Sequence, residues 1–516
     1  MSINKKIIVA TAIGLALGAS SCRKLLNVNT NPNVSQTATV ETLLPAAQLY
    51  VGSSIGMDLQ VVGSIWSQYW TQTPVASQYI SLEQYAPGQD AFSYAWSNLY
   101  SGAENFYQLG KLADTQHKRN YKAIALLMQA YTFQVITDAF GDAPFRQALQ
   151  GQYSDGHIIN PKYDSQMVVY NGIIAYIDTA INIINEGNTV TPGTDDLIYG
   201  GDMSLWAKFA NTLKLKVLLR RAEKDPAGTQ AAIDSFYATS PVFIGTGEDA
   251  KISYGSSTAN KNPLYAEESS TVLANIQNLA GSNTCIDTMN SNGDPRAYLF
   301  YEYLPTTGTV VGIPQGQYNI KALSGTYSLP STYVAGDCSS VNAENSKDAP
   351  VNLLTSWESY FMQAEVVARG WAGAPGDDDA LFYSGIQASF DYAFYSNALN
   401  NEYGTAGTTT IYNDYISGYL TGTPGYWTVY PSTGTSAEKL RFIITQKWFA
   451  MCGNQGFEAW TEWRRTGYPD FFVIPPFSLM GTNRPVRLLY PTSESTTNVN
   501  FPGLAPLTQK VWWDIL

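Results

Sequence analysis

The chain has 516 residues, 45% of them hydrophobic, which is enough to bury a sizeable core, and only 14% are charged. Its formal charge of -12 argues against nucleic acid as a partner, because phosphate contacts need clustered Lys and Arg. Aromatic residues are the outlier: with 35 Tyr, 12 Trp and 20 Phe, the chain is rich in rings that suit cores, interfaces and flat polar ligands alike.

In chain order, Lys5 and Lys6 precede an apolar run over 7–19 that ends in Ala19-Ser20-Ser21-Cys22. A basic head, a short apolar stretch and small residues before a cysteine read as a lipoprotein export signal over 1–21. The signal is cut before Cys22, and lipid is attached to that thiol. The run is too short to span a bilayer comfortably, and beyond residue 19 no apolar run approaches the ~20 residues a membrane helix needs. Its loss makes the mature chain more acidic by two charges, those of Lys5 and Lys6. Residues 22–40 are polar and turn-rich and read as a lipidated tether. Residues 41–516 form one helical domain with long loop insertions. Apolar periodicity predicts helices over 42–50, 91–112, 121–140, 170–184, 205–219, 351–370 and 437–465. Gly141 stops the third, and Pro144 forbids its resumption. Stretches rich in Gly, Thr, Ser, Tyr and Pro fill 224–271, 301–350, 399–436 and 473–510, and loops of such length are usually functional or carry small elements of their own. The fold class is mainly α: stacked tetratricopeptide-like helix pairs with a large loop-rich face, although no strict repeat of about 34 residues is visible.

Several residue groups invite a chemical reading. Gly52-Ser53-Ser54-Ile55-Gly56 matches the G-x-S-x-G nucleophile pattern, but that motif needs a strand before it, and both flanks here read as helix. The two histidines, His117 and His157, lie in polar surroundings. Glu458 and Glu462 share a helical face with Phe457, Trp460 and Trp463. Glycosidase acids must flank a sugar at roughly 5–10 Å, and adjacent Arg464 and Arg465 make ion pairing the preferred reading. Asp377-Asp378-Asp379 reads as a helix cap, since the spaced oxygen ligands of a calcium loop are missing. Lys208, Lys214, Lys216, Arg220 and Arg221 make a basic helix, read as a solvated face with a docking surface as the alternative. Cys285, Cys338 and Cys452 allow at most one disulfide and show no zinc spacing; Cys452 lies in an apolar helical pattern and reads as a buried thiol. No catalytic residue, metal ligand or cofactor is assigned. The best local candidate for ligand binding is Trp66, Tyr69, Trp70, Gln72 and Tyr79, where rings suit stacking on sugars and amides and hydroxyls fix orientation. Core packing with satisfied amides is the competing reading for each of them.

Taken together, several segments resemble the SusD/RagB family, especially its SusD-like branch. They are LNVNTNPN over 26–33, ITDAFGDAPF over 136–145, WAKFANTLKL over 206–215, Asp294-Pro295-Arg296, residues 364–370, TQKW over 445–448, EAWTEWRRTGYP over 458–469, and the C-terminal RLLYP and WWD. The resemblance covers nearly the whole mature chain. It implies a lipid-anchored, palmitate-bearing protein of the outer membrane that faces outward. It also implies capture of nutrient oligosaccharides without catalysis, or of peptides as in RagB-type members, and a role as the lid of a SusC-type TonB-dependent barrel transporter. One departure is Arg23-Lys24, where surface-displayed members often carry acids. The rival readings are a glycoside hydrolase and a pure helical scaffold.

Overall fold

A computed structural model describes residues 38–255, 260–268, 277–321, 325–336, 343–371, 373–374, 376–392, 407–418 and 422–516. The leader, Cys22, the tether up to residue 37 and Cys338 lie outside them.

The first half is a run of helices: α1 (Val40–Gly56), α2 (Asp58–Trp66), α3 (Ile80–Glu83), α4 (Ser93–Thr115), α5 (Arg119–Phe140), α6 (Gln166–Asn185), α7 (Met203–Leu219) and α8 (Pro226–Tyr237). Each neighbour stacks on the next, α1 on α4, α4 on α5, α5 on α6, α6 on α7 and α7 on α8, the tetratricopeptide-like pairing. α5 is buried nearly all round, with polar Gln129, Gln134 and Asp138 buried among its apolar residues, which makes it the axis of the stack. It ends where Gly141 takes a φ of +85°, a conformation that costs glycine little. By length and composition α5 and α6 are both apolar enough to cross a membrane, which the count of continuous apolar runs missed. α5 is instead packed inside the protein, and α6 buries the single face of Val169, Tyr170, Ile173, Ile177, Ala180 and Ile183.

The second half adds α9 (Asn283–Ser291), α10 (Ser356–Ala368), α11 (Asp378–Asp391), α12 (Thr408–Ser417), α13 (Ser436–Met451) and α14 (Gly456–Thr466). α10 packs on α11 and α13, α13 on α14, and α14 returns to α2, closing the second half onto the first. Two expected helices are each broken. Residues 351–354 are a strand, and α10 begins only at Ser356, where the Thr355 side chain accepts from the Glu358 N–H at 3.4 Å. The stretch 437–465 is split at Gly453, whose φ is +73°. The stretch 224–271, read as loop, holds α8, because Asp225 accepts from the Gly228 N–H at 3.0 Å and Pro226 opens the first turn.

Strands are few and short among the described residues. β1 (Trp70–Gln72) pairs antiparallel with β3 (Leu279–Gly281), Trp70 opposite Gly281. β2 (Ala250–Ile252) pairs antiparallel with β4 (Val351–Leu354), Ala250 opposite Leu354. These ladders pin the loop-rich segments to the helical stack. The tightest helix contact is the crossing of α2 and α14. A Cβ on Gly63 would stand 2.1 Å from the Phe457 nitrogen, and one on Gly456 would stand 2.4 Å from Ser64 Oγ. Gln60 seals the crossing: its Oε1 accepts the Gly456 N–H at 3.0 Å.

Candidate functional site

The five residues favoured for ligand contact run from the last residue of α2 through β1 to Tyr79, which precedes α3. Trp66, Tyr69, Trp70 and Gln72 are buried, and Tyr79 is only 8% exposed. Their ring faces are already covered. Trp66 meets Trp460, Phe92 and Tyr85 edge-on, and Tyr69 stacks on Trp448 at 5.0 Å. Their polar atoms are largely committed as well. Trp66 Nε1 donates to the Leu82 carbonyl at 3.1 Å, Tyr69 donates to the Trp448 carbonyl, and Gln72 Oε1 accepts the Tyr79 N–H at 2.6 Å. In this structure they therefore hold the loop over 73–79 in place, and residues further along it, Val75, Ser77 and Gln78, are the ones that face solvent.

Glu83 is the knot of this segment. It accepts from the Gln72 N–H at 2.8 Å and from Gln315 Nε2 at 3.0 Å, tying β1, α3 and the 313–318 loop together. Burial pushes its carboxyl up to about 7, against the hydrogen bonds of Thr71, Gln72 and Gln315. Above the knot, Tyr318 and Phe477 meet at 5.4 Å, and Gln84 Nε2 donates to the Tyr318 hydroxyl at 2.7 Å.

Glu458 and Glu462 sit inside the helical stack in an ion network. Arg220 donates to both of them and to Asp138, Lys216 lies between Glu358 (2.9 Å) and Glu458 (3.1 Å), and Arg465 joins Glu462 (2.7 Å) to Glu365 (2.6 Å). Burial pushes the Glu458 carboxyl up, but Arg220 and Lys216 outweigh it and hold it at about 2. A general acid needs the opposite shift. Ion pairing is the role expected, with different partners: Arg465 joins in, whereas Arg464 donates to the Asp138 carbonyl and stacks on Trp460. The basic helix is likewise corrected. Lys216 and Arg220 are buried in this network and belong neither to a solvated face nor to a docking face, because α7 turns them toward α10 and α14. Lys208, Lys214 and Arg221 pair at the surface with Glu248, Asp178 and Asp225. Asp377 caps α11 as expected, accepting the Asp379 N–H at 3.0 Å. Among the described residues no group of three or more His, Cys, Asp or Glu is placed to hold a metal ion.

An open pocket of about 550 Å³ lies where the end of α1, the start of α2 and the start of α4 meet the segment after β2. Its walls include Ser53, Asp58, Tyr94, Tyr254, Lys261 and Glu267. The G-x-S-x-G segment builds one wall, as helix. Gly52 lets Ile252 and the Tyr254 hydroxyl close on α1, where a Cβ would stand 2.6 Å and 3.1 Å from them. Gly56 does the same for Val351 and Pro263, at 2.3 Å and 2.9 Å. Ser53 Oγ is spent on a hydrogen bond with the Tyr94 hydroxyl at 2.9 Å, so the serine anchors a ring. Tyr94 is half exposed. Asp58 has one oxygen, Oδ2, without a hydrogen-bond partner among the described residues. Burial pushes its carboxyl up to about 6, the Ala95 N–H pulls against this, and the Glu267 charge adds to it. Tyr79 lies behind this pocket: its hydroxyl donates to Glu268, beside Glu267. Sequence reading passed over Tyr94, Tyr254, Asp58 and Glu267, which carry no motif. The signal that was available is the glycine pair at 52 and 56, which marks close approach to a helix.

The family described as "SusD-like_2: Starch-binding associating with outer membrane" matches residues 32–491, and the chain belongs to this SusD-like family. No curated protein sequence is similar to it at a significant level. Among solved structures, a chitin-binding SusD homolog from Flavobacterium johnsoniae is 23% identical with a TM-score of 0.70, over 92% of this chain and 98% of that one. A SusD homolog from Bacteroides fragilis is 22% identical with a TM-score of 0.69, over 93% and 99%. A SusD-like protein from Bacteroides thetaiotaomicron is 21% identical with a TM-score of 0.70, over 93% and 99%. These likenesses establish the mainly α, tetratricopeptide-like fold. The family itself is one of glycan-binding proteins that associate with the outer membrane.

Proposed function

We propose that this protein captures oligosaccharides at the outer membrane and delivers them to a SusC-type TonB-dependent barrel. Its leader over 1–21 is removed, Cys22 carries the lipid, residues 22–40 are the tether, and 41–516 form a single binding domain that faces outward. The observation that carries the reading is the pocket between Tyr94 and Tyr254, about 550 Å³ in volume and rimmed by Ser53, Asp58, Lys261 and Glu267. Aromatic walls with a few convergent polar groups suit a short glycan: rings stack on sugar faces, and carboxylates accept from hydroxyls. Trp66, Tyr69, Trp70, Gln72 and Tyr79 serve this function from beneath, by fixing the loop over 73–79. The chitin-binding homolog makes chito-oligosaccharides the first ligands to try, and the family's description adds starch fragments.

Calorimetric titration of the mature chain with both series tests this. Binding is expected, weakened about tenfold or more by Tyr94→Ala or Tyr254→Ala, since losing one stacking ring costs about 1.4 kcal/mol or more. Affinity is also expected to fall as pH drops below about 6, because a protonated Asp58 loses acceptor capacity. A ligand that binds equally well to wild type and both tyrosine variants refutes this pocket as the site.

A further inference from the structure

We propose that Cys285 and Cys452 are a disulfide-forming pair that locks the loop-rich face onto the helical stack. Cys285 lies on α9, the first helix after β3, and Cys452 directly follows α13. They are 167 residues apart in sequence, yet their sulfurs lie 3.8 Å apart. Both side chains are buried, and both thiols are free in this structure. A disulfide needs the sulfurs at about 2.0 Å, so side-chain rotation has under 2 Å to close. The surroundings are apolar or weakly polar. Met289 Sδ lies 3.7 Å from Cys285 Sγ, and the Tyr301 hydroxyl lies 3.3 Å from Cys452 Sγ. Among the described residues neither thiol belongs to a group of three or more side chains placed to hold a metal ion. Burial, with Cys285 alongside, pushes the Cys452 thiol well above its usual range, so the bond forms while the chain is folding and not after the core has closed.

The step balances with a small disulfide, such as glutathione disulfide, as oxidant. One thiolate attacks the oxidant and displaces one glutathione thiol. The second cysteine attacks the mixed disulfide and displaces the other. One protein S–S bond is made and one glutathione S–S bond is broken. The two cysteine protons end on the two glutathione thiols. In the cell this requires the oxidising side of the inner membrane, so occurrence there rests on the export reading, while the capacity to pair does not.

The test uses the mature chain, purified reduced, opened in moderate urea with glutathione disulfide, refolded and alkylated before unreduced peptide mapping. A Cys285–Cys452 linked peptide with Cys338 alkylated is expected, together with a Tm that falls on adding dithiothreitol. The Cys285→Ser/Cys452→Ser double variant is expected to show no such fall. Alkylation of both Cys285 and Cys452, or a bridge from either to Cys22 or Cys338, overturns the proposal; the Cys22→Ser/Cys338→Ser double variant, which has only this pair left, repeats the test without competition. The same map on protein from the cell envelope separates the two readings. A pair that bridges in vitro but is found reduced in cells argues against export to an oxidising compartment, not against the pair.

Discussion

Replacing Gly63 by alanine tests the closure of the second half of the fold onto the first. The added Cβ meets backbone: the Phe457 nitrogen at 2.1 Å, the Gly456 carbonyl carbon at 2.2 Å and its oxygen at 2.5 Å. Ordinary contact needs about 3.4 Å or more, so α2 and α14 must separate by about 1 Å, and no side chain can swing aside to prevent it. Overpacking of well-packed sites costs about 1–3 kcal/mol, and obstruction by backbone places this variant at about 3 kcal/mol or above. The separation also stretches the Gln60 bond to the Gly456 N–H. With about 2.1 cal/mol/K of unfolding entropy per residue, the domain over 41–516 unfolding as one carries about 1 kcal/mol/K. The expected fall in Tm is therefore about 3 °C, readable by calorimetry. The control is Gly88→Ala, at an exposed glycine whose Cβ would meet nothing within 4 Å; its Tm should stay within about 0.5 °C of wild type. Equal Tm values for the two variants would refute the crossing as the point of closure.

Glu83 gives a pH test. Its folded carboxyl titrates at about 7 against a reference of 4.5, so the folded state holds the proton more tightly. The stability this contributes is full below pH 4.5 and is lost as pH rises to about 7, a change of about 3 kcal/mol. Glu83→Gln keeps an acceptor for the Gln72 N–H and removes the titration. The variant's Tm relative to wild type should therefore rise between pH 5 and pH 8, and a constant difference would count against it. Glu458 behaves in the opposite sense: with its carboxyl held at about 2, its stabilisation is present above pH 4.5 and lost as pH falls toward 2. Glu458→Gln leaves Arg220 and Lys216 short of a buried partner and should cost about 3–5 kcal/mol at pH 7 by denaturant or thermal unfolding. Glycan affinity of the surviving folded protein should be unchanged. Asp377→Ala removes the cap of α11 and should cost about 1 kcal/mol, detected as faster amide exchange at that helix start.

The sequence by itself determined the helical class, the family and the main helices of the first half. These follow from local periodicity, from stops such as Gly141, and from motifs spread along the chain. The Asp377 cap was equally legible, because a cap is a contact over two or three residues. Tertiary structure alone decided what long-range contacts decide. Lys216 on α7 and Arg220 at its C-terminal end look like a solvated basic face until α10 and α14 bring Glu358, Glu458 and Glu462 against them. Trp66, Tyr69, Trp70 and Gln72 have the composition of a ligand surface, yet Trp448 and Trp460, almost four hundred residues further on, cover Tyr69 and Trp66. Tyr94 and Tyr254 carry no motif and become pocket walls only because Gly52 and Gly56 let the segment after β2 lie directly on α1. A side chain's chemistry is written locally, whereas its exposure depends on which distant segment packs above it.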